Sequence, residues 1–216
     1  LDQELISIKP FLFSLLSNEN IDSLTLKTLA TALINILNNS LQAFLTTFDQ
    51  KMQDFIEELI VQSSSNQDFN SQIALKNTLE SILILTSSKI PSYFKSQIGL
   101  IFENFNLSLL LEPIKNSQSS IAILSLHCIY NFALGGSIDR ILSSSEIIDC
   151  LLEVLEIGKF EVKQEIILFF ANLIEISPID NKVAYLLDRK ILTLILDLLP
   201  TLQIYYVSNI LKSLLN

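Results

Sequence analysis

Five stretches of this 216-residue chain share one layout, a long segment with apolar residues at helical spacing, and four of them close on small polar residues or glycine. They are SLTLKTLATALINILNNS (23–40), NSQIALKNTLESILILTSS (70–88), SSIAILSLHCIYNFALGGS (119–137), EVKQEIILFFANLIEIS (161–177) and LQIYYVSNILKSLL (202–215). Aligning their ends sets Asn35, Ser81, Asn131, Asn172 and Asn209 in one column, at steps of 46, 50, 41 and 37 residues. A single supersecondary unit of this size cannot bury its apolar face alone, so a chain that returns to one pattern about every 40 residues is expected to stack its units side by side.

Each copy reads as a helix. In 161–177, Val162, Ile166, Phe169, Phe170, Leu173 and Ile174 follow steps of three and four, with Lys163, Gln164, Glu165, Asn172 and Glu175 on the other side. The apolar stripe is wide, as on a helix covered by neighbours on more than one flank. Only 4 Gly and 5 Pro are present, against 50% hydrophobic residues, which leaves little turn chemistry for a β fold or for βαβ crossovers. The expected fold class is all-α.

Punctuation in the C-terminal half gives the order within a unit. After Gly135-Gly136 comes a short helix, SIDRILSS (137–144). Ser143 with Glu146 three positions on reads as a capping box opening EIIDCLLEVLEI (146–157), and Gly158 separates that helix from the long one. Ser177-Pro178 stops the long helix, and the order repeats as short (181–189), medium (190–200) and long (202–215). The units are read as 1–40, 41–88, 89–137, 138–177 and 178–216, with longer links at QSSSNQDFN (62–70) and around Pro91 and Pro113.

The endings YNFALGGS and FANLIEIS, each followed by a short, a medium and another long helix, resemble armadillo repeats, and most of all those of the importin-alpha family. The similarity is clear over 119–216 and fainter over 1–118. It implies a right-handed armadillo-type α-solenoid, a superhelix of helix triplets, with 1–216 as a single solenoid. A solenoid of helix pairs, HEAT-type, is the architectural alternative, and a separate short helix at 137–144 separates the two. The resemblance would also place a basic, importin-beta-binding arm ahead of the solenoid, beyond Leu1 if it exists.

In stacked triplets the third helices line the concave wall, so one polar residue per unit becomes a ladder. An amide donates and accepts at once, which matches the N–H and C=O groups of an extended peptide. The resemblance therefore implies a non-enzymatic adaptor that holds an extended, basic segment of another protein, with Asn35, Asn131, Asn172 and Asn209 on its main chain. Glu165 and Glu175 are the candidates for reading a basic side chain. In the importin-alpha family tryptophans stand one helical turn before each asparagine and flank the stems of lysines. This chain has none; Thr31, Asn77, His127, Leu168 and Tyr205 hold those places, of which His127 and Tyr205 offer a ring. Asparagine near a helix end, as at Asn38-Asn39 or Asn172, also has a purely local use in letting the chain leave the helix. The alternative function is a structural scaffold subunit of a larger assembly, cytoskeletal or ciliary, with neighbouring subunits as partners.

Charge narrows the partners. There are 14 basic and 23 acidic residues, a net charge of −9 shared by both halves, with no counterion-release footprint for a phosphate backbone. No direct contact with nucleic acid is expected, and a cationic partner is. Asn116 to Ile138 holds no charged residue, but its apolar part, Ile121 to Leu134, suits a buried helix better than a span of about 20 residues, so no membrane insertion is expected. One histidine excludes His-pair metal sites, and Cys128 next to His127 points about 100° away from it on a helix. No cofactor and no metal site are expected. Two distant cysteines, Cys128 and Cys150, read as buried reduced thiols of an intracellular protein, in the cytoplasm or nucleus, or at the cytoskeleton or cilium on the alternative reading.

Overall fold

The computed structural model describes residues 10–15, 21–87, 90, 99, 102–177 and 191–215. Every regular element among them is helical, and they belong to two compact units, within Leu1–Pro113 and Ile114–Asn216.

In the N-terminal unit, α1 (Ser23–Thr46), α2 (Gln50–Ser64) and α3 (Phe69–Leu85) pack on one another. Each begins on an aspartate whose carboxylate accepts first-turn N–H groups: Asp22 from Thr25, Asp49 from Met52, and Asp68 from Asn70 and Ser71. A carboxylate there meets both the orphan donors and the positive end of the helix dipole. Leu26, Leu29, Ala30, Leu33 and Leu37 of α1 are buried with Leu59 and Ile60 of α2 and Leu75, Leu79 and Ile82 of α3. The copy expected to end at residue 40 runs on to Thr46, but Ser40 has non-helical φ −147° and ψ 38°, so the helix bends where the end was expected. Beyond it Phe44, Phe48, Phe102 and Phe105 stack in sequence at 5.4–5.7 Å between ring centres.

The next elements are a 3₁₀ turn, Leu107–Leu110, and a short helix α4 (Leu111–Asn116). The C-terminal unit then holds α5 (Ser119–Phe132), α6 (Ile138–Ser143), α7 (Ser145–Ile157), α8 (Phe160–Ile176), α9 (Ile191–Leu198) and α10 (Ile204–Leu215). Between α5 and α6 the chain makes one wider, π-type turn, Ala133–Ser137, in which Gly136 takes φ 104°. L-residues with a side chain disfavour that conformation, so the second glycine of the pair is the one the turn requires. A short helix of its own therefore stands where one was expected. The cap of α7 is Ser144, whose hydroxyl accepts the N–H of Ile147, and not Ser143: the chain leaves α6 at Ser144 in an extended conformation, which the cap position needs. Gly158 ends α7, and a Cβ there would lie 2.4 Å from the Val154 carbonyl oxygen. The short helix expected over 181–189 lies outside the described residues.

The long helices of the C-terminal unit pack in chain order, α5 on α8 and α8 on α10. Leu126, Ile129 and Phe132, Ile166, Phe170 and Leu173, and Ile210 form the buried interior of this stack. Ser119–Ser143, 25 residues with a mean hydropathy of 1.5 over its most apolar window, is long and apolar enough to cross a membrane by length and composition.

Candidate functional site

Polar side chains of α5, α8 and α10 meet across the helix interfaces. Glu165, on the second turn of α8, is flanked from both sides. Its Oε1 accepts the hydroxyl of Tyr206 on α10 at 2.6 Å, and its Oε2 lies 3.4 Å from Nε2 of His127 on α5. One carboxylate thus joins three consecutive long helices. Burial opposes its ionisation, but the hydrogen bonds of His127 and Tyr206 and the charge of His127 outweigh that and hold the carboxyl below its ordinary value of 4.5. Burial, reinforced by the neighbouring Glu165, pushes the Tyr206 hydroxyl the other way.

Two turns further along α8, Asn172 Oδ1 accepts the hydroxyl of Ser213 on α10 at 2.7 Å. At the other end of α8, the buried side chain of Gln164 accepts the N–H of Gln203 at 3.0 Å, just ahead of α10. These ties span 38 to 41 residues, close to the spacing at which the aligned segments recur in the sequence. The N-terminal unit has a counterpart: Asn77 on α3 donates to the Thr31 hydroxyl on α1 at 3.0 Å, across 46 residues. Thr31 and Asn77 are the two residues standing in the column one turn before the asparagines, so equivalent positions of successive long helices meet there.

Of the residues singled out from sequence, His127 and Glu165 are brought together, and Tyr205 neighbours Tyr206, the hydroxyl donor to Glu165. Its exposed ring packs edge-on against that of Tyr206, 5.4 Å between centres. The asparagine column is uneven: Asn35 is exposed, Asn131, Asn172 and Asn209 are half-buried, and Ser81 is buried and bonds back to the Asn77 carbonyl. The Asn35 carbonyl accepts the Asn39 side chain at 2.8 Å, a local use of the amide pair near the helix bend. Glu175 is exposed at the end of α8, near enough that its charge, after burial, contributes to raising the Tyr130 hydroxyl above its ordinary value. The Tyr130 ring meets Phe169 edge-on at 6.2 Å, a further link between α5 and α8.

From sequence, Gln164 is only part of the polar side of its helix, and neither Tyr206 nor Ser213 stands out as a site residue. Their signal was present in the repeat step itself, since each lies about 40 residues from its partner. Spacing alone does not say which side of a helix faces the next copy.

Cys128 and Cys150 are buried and not joined in a disulfide, and burial pushes the Cys128 thiol far above its ordinary value. Among the described residues no three His, Cys, Asp or Glu side chains form a group able to hold a metal ion. A cleft of about 240 Å³ lies between the end of α4, α7 and the start of α8, lined by Ile114, Val154 and Val162. Its lysines already have partners, Lys115 in Glu153 and Lys159 in the Ser117 carbonyl. Comparison with protein-family models, with curated proteins and with solved structures found no match to this chain.

Proposed function

We propose that the chain is a non-enzymatic protein-binding adaptor, an armadillo-type solenoid similar to importin-alpha, which holds an extended, basic segment of another protein against its long helices. The observation that carries this reading is the set of polar ties across α5, α8 and α10, in which an ionised Glu165 bonds the exposed His127 and the Tyr206 hydroxyl, with the exposed Tyr205 ring packed on Tyr206. A carboxylate next to aromatic faces attracts a lysine or arginine side chain. Half-buried Asn131, Asn172 and Asn209 supply amides at the repeat step, suited to a peptide main chain. The net charge of −9 favours a cationic partner. Buried thiols outside any disulfide fit a reducing, intracellular compartment, cytoplasm or nucleus.

Calorimetric titration with a lysine-rich peptide of about ten residues tests the proposal. Glu165→Gln is expected to weaken binding on the order of fivefold, the worth of one partly exposed charge pair. Asn131→Ala with Asn172→Ala is expected to weaken it further. The proposal fails if the peptide does not bind, or if it binds with the same affinity to the double variant.

A second reading, a scaffold subunit of a larger cytoskeletal or ciliary assembly, is favoured by a different observation. On α10, Ile204 is 87% and Leu215 84% exposed, and Leu211 shows on the same face. An obligate subunit should aggregate when isolated, whereas an adaptor should elute from size exclusion as a monomer.

A further inference from the structure

We draw no further inference here: the strongest candidate, the unpartnered apolar face of α10 formed by Ile204, Leu211 and Leu215, carries nothing because nothing in the structure shows what covers it.

Discussion

Replacing Asn172 by alanine separates a packing role of the asparagine column from a binding role. Asn172 Oδ1 accepts the Ser213 hydroxyl at 2.7 Å, and Ser213 is only 7% exposed. Losing the bond removes about 1 kcal/mol net, and stranding a buried hydroxyl would add about 1 kcal/mol more. Two effects offset this. A helical serine can turn back to the carbonyl four residues earlier, as Ser81 does to Asn77, and alanine in a helix interior is favoured over asparagine by up to about 0.7 kcal/mol. The expected net loss for Asn172→Ala is therefore about 0.5–1.5 kcal/mol, with a smaller loss for Ser213→Ala, whose departure leaves a half-buried amide that water can reach. Because the two residues share one bond, the double variant should be less destabilised than the sum by about 1 kcal/mol. The chain has no tryptophan, so urea unfolding is followed by far-ultraviolet circular dichroism. Additive effects, with zero coupling, would refute the tie between α8 and α10. Stability unchanged or raised by Asn172→Ala would leave its amide with no part in holding the repeats together.

Three further outcomes follow from the same geometry. Gly136→Ala should cost about 1–3 kcal/mol in urea unfolding because of its φ of 104°, while Gly135→Ala, with open space around it and no positive φ, should be neutral or slightly stabilising. Equal effects at the two sites would contradict the π-type turn. Phe170→Ala, at a fully buried ring in the middle of α8, should cost about 3–5 kcal/mol; a loss below about 1 kcal/mol would show that α8 is not held between its neighbours. Glu165 has a folded pKa below its ordinary value of 4.5, so its contribution to stability is complete above that value and is lost as pH falls through the folded one. Thermal melts between pH 7 and pH 3 should accordingly show a smaller acid loss in Glu165→Gln than in the parent chain, and identical profiles would count against the Glu165 network.

Particular residues show how far the sequence could be read. The all-α class and the long helices expected over 70–88, 119–137, 161–177 and 202–215, found as Phe69–Leu85, Ser119–Phe132, Phe160–Ile176 and Ile204–Leu215, were legible because apolar residues at steps of three and four have no other regular use in a chain with so few breakers. Gly136 announced the break after α5, since a positive φ is nearly a glycine property. The caps were less legible: Ser143 and Ser144 offer the same hydroxyl one residue apart, and only the backbone at Ser144 selects between them. The continuation of α1 past Ser40 was hidden because Asn38-Asn39-Ser40 carries stop chemistry that the burial of Phe44 and Leu45 overrides.

The candidate site divides in the same way. That Glu165 and Asn172 lie off the apolar stripe of their helix followed from periodicity within it. Which of them meet depended on how one helix is turned and shifted against the next. Glu165 finds its partners 38 residues back and 41 residues ahead, and Asn172 finds Ser213 instead of another asparagine. Periodicity is a property of one segment and is written in its residues. A partner across a helix interface is set by the packing of two surfaces, where a rotation of one residue, about 100°, replaces every neighbour. The sequence by itself determined that this chain is built of long helices. Only the tertiary structure decided that one carboxylate ties three of them together.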